Sequence, residues 1–406
     1  MKKFWMITLL VLIAFVAAPL LAQDGFRPLF NGENLDGWVK QGGGATYAAE
    51  DGCIVGRVGP GPNTFLCTEK EYGDFVLRLK LKLDDPSNSG VQFRSHTRPT
   101  TWDGNDIQRV FGYQCEVDPS DRAWSGGIYD ESRRGWIFNL AGDEREESRG
   151  AFKVDGWNEY VIQAIGPSIK TWVNGVPCTD LIDTADLSGL IALQVHSANH
   201  PGQIRWKDIE ILDLGVNSWT PLFDGETVDG WRSVGGGTWT VDEGTLHGTS
   251  PASESTHGIL ISDMPVKDFV LQLEFKADKG NSGLYFRVEE VDHPVSVKGF
   301  QAEIADQDDI GGLYETLGRA WVVQPSAEQV ETYFKPGDWN TMIVIAAEDG
   351  VRVVVNGVTT VVLEDDPGLR EGLLGLQLHG GQDMDVRFRN IELLELSPEA
   401  AELILR

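Results

Sequence analysis

Apolar and polar residues alternate along most of the chain. DFVLRLKLKL (residues 74–83) and WNEYVIQA (157–164) have the period of two expected of half-buried strands, and Gly, Asn, Asp and Pro clusters break such runs every eight to twelve residues or so. Asn174-Gly175 and Asn356-Gly357 each lie between apolar runs, a strong hairpin signal. Helical periodicity is scarce, and only the tail from Ser397 to Leu405 suggests a short helix. The pattern predicts an all-β protein.

The pattern also occurs twice. PLFNGENLDGW (28–38) returns as PLFDGETVDGW (221–231), and DFVLRLKLKLDDPSNSGVQFR (74–94) as DFVLQLEFKADKGNSGLYFR (268–287). GYQCEV pairs with GFQAEI, GGIYDESRRGW with GGLYETLGRAW, IALQVH with LGLQLH, and IRWKDIEIL with VRFRNIELL. A repeat of about 190 residues is too long for a solenoid unit, so each copy is a domain. Many short strands over such a length predict a jelly-roll sandwich. The expected domains are 25–213 and 217–396, with a tail at 397–406.

Alternation then assigns faces. In GVQFRS, Val91 and Phe93 point to the core and Gln92 and Arg94 outward. In GYQCEV, Tyr113, Cys115 and Val117 point in and Gln114 and Glu116 out. In ALQVHS, Gln194 and His196 point out. The second copy places Tyr285 and Arg287, Gln301 and Glu303, and Gln377 and His379 outward by the same rule. An arginine, a carboxylate and a histidine thus recur outside in both copies, although much of the sequence between them has drifted. If their strands are neighbours, these groups converge on one site. An ordinary solvated face is the competing explanation.

The loop after Glu116 adds Trp124, Tyr129, Asp130, Arg133, Arg134 and Trp136, matched loosely by Tyr314, Glu315, Arg319 and Trp321. Aromatic rings offer flat faces to sugar C–H bonds, and Arg or Asp hydrogen-bond hydroxyls. Trp102 and Trp124, in polar and unmatched loops, are candidate sugar platforms. Trp38, Trp231, Trp157 and Trp339 are expected to be core markers.

Composition narrows the partners. The first 22 residues, with Lys2 and Lys3 ahead of the apolar run Ile7–Val16 and Ala22 at the end, have the form of a cleavable export signal. A periplasmic or secreted protein is therefore expected, with no stable membrane association after cleavage. The net charge of -28 disfavours nucleic acid and acidic polysaccharides and permits neutral sugars. The four cysteines all lie in the first copy, so the fold does not require them as a framework. Cys53 and Cys67 remain a candidate pair, which the sequence leaves open. No cofactor is expected. Calcium is weighed at Asp306-Gln307-Asp308-Asp309, where a solvated acidic turn is the preferred reading.

Glu116-Val117-Asp118-Pro119-Ser120-Asp121 approaches the Glu-x-Asp-x-x-Glu strand of laminarinase-type endoglucanases, whose paired carboxylates perform a retaining displacement. Pro119 interrupts the strand, the last acid is Asp, and the second copy keeps Gln301 and Glu303 but has Ala305 in place of the middle acid. What the copies retain is Gln-x-Glu. In both halves the motifs SNSGVQFR, GYQCEVDPSDRAWSGGIYDESRRGW, the WN…VNG hairpin, LQVH and IRWKDIEIL resemble the 3-keto-disaccharide hydrolase domain family. That resemblance implies a concanavalin A/laminin G-like sandwich in each half and activity on glycosides whose C3 is a ketone. Such a ketone acidifies C2–H, so one base, an enolate partner and a proton donor suffice. The resemblance and the outward pattern together nominate Glu116 and Glu303 as bases, Arg94 and Arg287 as enolate partners, and His196 and His379 as proton donors. Gln92, Gln114, Trp124, Tyr129, Asp130, Arg134, Gln194, Gln301, Tyr314 and Gln377 are nominated as substrate contacts. A non-catalytic lectin-like protein and an adhesion module are the alternatives.

Overall fold

The computed structural model describes residues 25–305 and 308–406. The expected export signal lies outside the described residues. The chain divides between Gly215 and Val216 into two compact units, each a pair of stacked antiparallel sheets. Both units are jelly-roll β-sandwiches.

In the first unit the front sheet runs, edge to edge, through Gly135–Phe138, Ile128–Glu131, Asn105–Val117, Ser89–Trp102, Gly189–Val195, Thr64–Tyr72 and Trp38–Gly42. The strands that the sequence reading needed as neighbours, those of Gln114, Gln92 and Gln194, are consecutive in this sheet. The back sheet centres on Asp74–Leu83 between Asn158–Ile165 and Gln203–Gly215. Leu77, Leu79 and Leu81 from the back sheet meet Val91, Phe93, Tyr113, Cys115, Leu193 and Val195 from the front in one apolar core. The second unit repeats this plan, with Leu271, Leu273 and Phe275 facing Leu284, Phe286, Ala302, Ile304 and Leu376. Asn174 and Gly175, and Asn356 and Gly357, all have positive φ, as the two-residue hairpin turn requires. Ser397 caps the helix Pro398–Ile404, its side chain accepting from the Ala400 amide.

The outer face of the first front sheet is covered. The hairpin of Ser89–Trp102 and Asn105–Val117 stays paired to its tip, where Trp102 faces Asn105. The sheet curls enough that Asn105–Val117 meets Trp38–Gly42, although three strands separate them in the sheet. Phe65, Cys67, Val110 and Ala192 form a second, small apolar cluster on this outer face.

Alternation fails at one point, and there it misplaces two nominated residues. Pairing slips between Gln92 and His96, and again between Phe286 and Glu289, and at those slips Arg94 and Arg287 have φ of 44° and 51°. Such a bulge re-aims the side chain. Arg94 is fully buried; it donates to the Gly73 and Gly166 carbonyls at 2.9 and 2.6 Å and pairs with Asp74 at 2.9 Å. Arg287 repeats this with the Lys267 and Glu348 carbonyls and Asp268. Neither reaches the outer face. The room comes from the facing glycine, since a Cβ on Gly189 would lie 2.5 Å from the Arg94 carbonyl carbon. Both arginines fasten one sheet to the loops of the other.

The candidate Cys53–Cys67 pair and the core placement of Trp157 and Trp339 are revised. All four cysteines are buried free thiols, and Cys53 and Cys67 lie in different sheets. Trp38 and Trp231 are buried, whereas Trp157 and Trp339 lie half-buried beneath Lys207 and Arg389. Asp306 and Gln307 fall outside the described residues, and Asp309 accepts from Gln324 at 2.8 Å. Because Arg94→Met removes the guanidinium that forms an ion pair with the buried Asp74 carboxylate, it is expected to destabilise the first unit by about 3–5 kcal/mol. Urea unfolding measures this, and an unchanged midpoint would show that the buried pair does not hold the sandwich.

Candidate functional site

Glu116 lies near the end of Asn105–Val117, on the outer face of the front sheet. Register places it opposite Gly90, with Gln114 opposite both Gln92 and Tyr129. Leu193 pairs with Val91, which sets Gln194 level with Gly90. The glutamines are therefore on the expected face, but they are buried rather than solvated: Gln92, Gln114 and Gln194 are 0, 3 and 1% exposed. They bond to one another. Ser95 Oγ donates to Gln92 Oε1 at 3.0 Å, and Gln92 Nε2 donates to Gln114 Oε1 at 2.7 Å. Gln194 Nε2 donates to the same oxygen at 2.9 Å, and Gln114 Nε2 donates to Glu116 Oε2 at 2.8 Å. These side chains lie beneath the carboxylate and position it.

Asn88 donates to the other carboxylate oxygen, Oε1, at 2.5 Å. The sequence reading missed Asn88, although Asn-Ser-Gly recurs at 281–283 and was available as a signal. Each member of the motif has a task. Asn88 holds Glu116, and Ser89 Oγ donates to the Gln194 carbonyl at 2.7 Å. Gly90 leaves space for Gln114, whose Cδ would be 2.4 Å from an added Cβ. Asn281, Ser282 and Gly283 do the same for Glu303, Gln377 and Gln301.

Burial pushes Glu116 up to about 7 and Glu303 up to about 8, against the donors that favour the anion. Asp118 behaves in the opposite way. It accepts from Ser120, from Arg122 Nε at 2.8 Å and from the Trp124 amide at 3.2 Å; these bonds outweigh its burial and hold it below the usual carboxylate range. Asp118 ties a turn, so the site has one carboxylate near neutrality rather than a catalytic pair.

The turn presents Arg122, also missed from sequence. Its guanidinium lies over the rings of Trp124 and Trp136, at 4.8 and 5.0 Å, with Nη2 3.8 Å from Glu116 Oε1. Trp124 packs edge-on against Trp136, as Tyr129 does. Trp124 and Tyr129 thus form an aromatic wall beside the carboxylate, and Tyr314 against Trp321 repeats part of it. Asp130 and Arg134 do not belong to it. Asp130 pairs with Tyr113, a core residue, and is fully buried in ion pairs with Arg133 and Arg134, while Arg134 also holds Asp183. That cluster closes the edge of the core.

His196 and His379 are half-buried at the ends of their strands. Each Nδ1 contacts a carbonyl, Ser197 O at 2.8 Å and Gly380 O at 2.7 Å. A carbonyl only accepts, so Nδ1 of His196 donates to it and Nε2 is left for a ligand, whereas Nδ1 of His379 is also approached by the Gln382 amide nitrogen at 3.3 Å. In the second unit the His257 ring lies 4.3 Å from that of His379, and burial first, then the neighbouring histidines, lowers His257 to about 4. Among the described residues, no group of three or more His, Cys, Asp or Glu is placed to hold a metal ion.

The family of 3-keto-alpha-glucoside-1,2-lyase-like domains matches residues 25–212 and again 218–394. The chain belongs to this family. A 3-keto-disaccharide hydrolase of Bacteroides thetaiotaomicron is 33% identical over 89 residues, which are 20% of this chain and 31% of that protein. The chain thus matches about a third of that relative's length. Solved structures similar to it include the carbohydrate-binding module CBM66 from Bacillus subtilis (18% identity, 40% of this chain and 93% of that one, TM-score 0.32). A Bacillus subtilis protein of unknown function with a galectin-like fold is also similar (16% identity, 46% and 99%, TM-score 0.33).

The hydrogen-bond order yields a prediction. Gln114→Leu keeps the volume but removes a donor from Glu116, so its carboxyl should titrate about one unit or more above the wild-type position. Isotope-edited NMR of the glutamate carboxyls checks this; no upward shift would mean that Gln114 does not set the charge.

Proposed function

We propose that the protein is an exported enzyme that cleaves the glycosidic bond of neutral 3-keto glycosides by elimination and hydration. The observation that carries this reading is that Glu116 and its counterpart Glu303 are each buried, held by the same Asn and Gln donors, and raised by burial to about 7 and about 8. A general base works best with its pKa near the working pH. Membership in the 3-keto-alpha-glucoside-1,2-lyase-like family supports the substrate class.

Glu116 takes the proton from C2, and its bonding electrons pass into an enolate on the C3 oxygen. The enolate collapses to the ketone, forms C1=C2 and expels the C1 oxygen, which leaves with a proton. Water then adds at C1 while Glu116 returns a proton to C2, and the net reaction is hydrolysis. With Arg94 fixed in the interior, Arg122 is the cation placed to stabilise the enolate, and Asn88 is a second donor near the base. His196, donating from Nδ1 to the Ser197 carbonyl, gives a proton from Nε2 to the leaving oxygen and takes one back from the water that adds at C1. Glu303, Asn281 and His379 supply the corresponding set in the second unit. The first unit should carry the larger share, because Arg122 and the Trp124–Trp136 pair stand beside its base.

Export follows from Lys2, Lys3 and the apolar run before Ala22. Amino-terminal sequencing of the protein from a periplasmic or culture fraction is expected to begin at Gln23; a chain that still begins at Met1 would rule out cleavage.

Glu116→Gln together with Glu303→Gln should abolish turnover of a 3-keto-glucoside, by about a hundredfold or more for loss of a general base. Retained sugar binding with unaltered turnover would turn the reading toward a lectin-like protein. The pH profile separates the two units. A base acts deprotonated, so the wild-type rate should rise with pH through about 7, and the residual rate of Glu116→Gln through about 8. A single acid limb, unmoved by that variant, would contradict a contribution from both carboxylates.

A further inference from the structure

A cavity of about 290 Å³ opens under the arching hairpin of the first unit, and of the residues given a role in the reaction above His196 alone lines it. Phe65 lines its apolar side, and Trp102, 45% exposed, stands where the hairpin tip meets it. Its polar lining is balanced. Arg109 and Glu131 bring opposite charges, Asn63 brings an amide, and His196 closes one end. The Asn63 Oδ1 is taken by the Ser197 amide at 2.9 Å, which leaves its NH2 for a ligand. Arg109 Nε donates to Ser132 Oγ at 2.8 Å, which leaves its terminal nitrogens for a ligand. The cavity therefore presents donors, acceptors, an aromatic face and no net charge.

His196 belongs both to this cavity and to the site at Glu116. Its strand lies two positions from that of Glu116, roughly 10 Å at the usual interstrand spacing. A sugar ring bound at Glu116 fills part of that gap, and a substituent on its C1 directed toward His196 would reach the cavity. The volume lies at the low end for small-molecule sites, roughly 300–1,000 Å³, and suits one ring rather than a longer oligosaccharide. We propose that this cavity binds the leaving group of the first unit's reaction, a neutral hexopyranose ring, with Trp102 as its platform and Arg109, Glu131 and Asn63 as its hydroxyl partners. The proposal rests on the elimination reading and adds the identity of the departing half. The hairpin that builds the cavity has strands of 14 and 13 residues, against 10 and 9 for its counterpart in the second unit.

The test compares a 3-keto disaccharide with methyl 3-keto-glucoside, whose methyl group is too small to enter the cavity. Both are assayed with the full chain carrying Glu303→Gln, with and without Trp102→Ala. Loss of the platform is expected to lower kcat/KM for the disaccharide about tenfold, mainly through KM, and to change the methyl glycoside by less than about twofold. Equal losses on both substrates, or none on either, overturn the proposal. If neither substrate turns over before Trp102 is altered, the elimination reading has failed separately, and glucose binding to the wild-type chain decides the cavity. A saturation-transfer NMR signal from glucose that disappears in Trp102→Ala upholds the sugar site. A signal that persists, or is absent from both proteins, overturns it.

Discussion

A carboxylate that has lost its water needs replacement donors, and each unit's site is organised around that need. Glu116 is almost fully buried, and removing an ionised carboxylate from water costs several kcal/mol unless hydrogen bonds compensate. Two amides do so, one from each side: Asn88 on Oε1 and Gln114 on Oε2. Their positions constrain neighbouring residues. Gln114 fits only because Gly90 has no side chain, and Asn88 is placed by a strand that Ser89 fastens to the Gln194 carbonyl. Burial outweighs these two donors, so the carboxyl is raised to about 7 instead of staying in the ordinary carboxylate range.

The two retained arginines show that persistence between copies reports constraint without naming its kind. Arg94 and Arg287 recur because a bulged strand turns each into the interior, where backbone carbonyls and an aspartate need it. Moving a guanidinium out of such a set would strand several polar groups at once. The cation near the carboxylate is instead Arg122, which has a different anchorage: an ion pair to Asp118 and two indole faces. Asp118, which imitates a second catalytic acid in the sequence, is thus what holds that arginine in place.

Strand identity, duplication, sandwich architecture and the shared face of Gln114, Glu116, Gln194 and His196 were legible because a period of two governs them and because the chain states them twice. The bulge at Arg94 was not legible, since it inserts into the register without changing residue type and the left-handed backbone there is adopted by arginine instead of glycine. Burial of the glutamines was also hidden. Alternation separates two faces but does not say that a hairpin folds back over one of them, and nothing in GVQFR distinguishes a covered face from a wet one. Asn88 was within reach, as a polar residue present in both copies and adjacent to a Ser-Gly pair that both copies share. Asp130 and Arg134 read as a sugar-binding loop because their partner, Asp183, lies 49 residues from Arg134 in sequence.

The second unit tests which part of the network matters, because it replaces several members. Tyr285 stands where the first unit has Gln92, and Thr316 joins the network on the neighbouring strand. Gln377 Nε2 donates to the Tyr285 hydroxyl at 2.8 Å, so that hydroxyl turns its proton toward Thr316, and Thr316 toward Gln301 Oε1 at 3.4 Å. Gln301 Nε2 then donates to Glu303 at 2.8 Å. In the first unit the run is Ser95, Gln92, Gln114, Glu116. The residues differ, yet each run leads donor by donor to an N–H on the carboxylate, although Gln301 Nε2 also reaches back to Gln377 Oε1 at 3.1 Å. Bonds aligned head to tail polarise one another, so a reversed member would place an oxygen against the anion. What the two copies share is therefore the polarity of the network more than its composition, as expected if the charge of the terminal glutamate is the property under constraint.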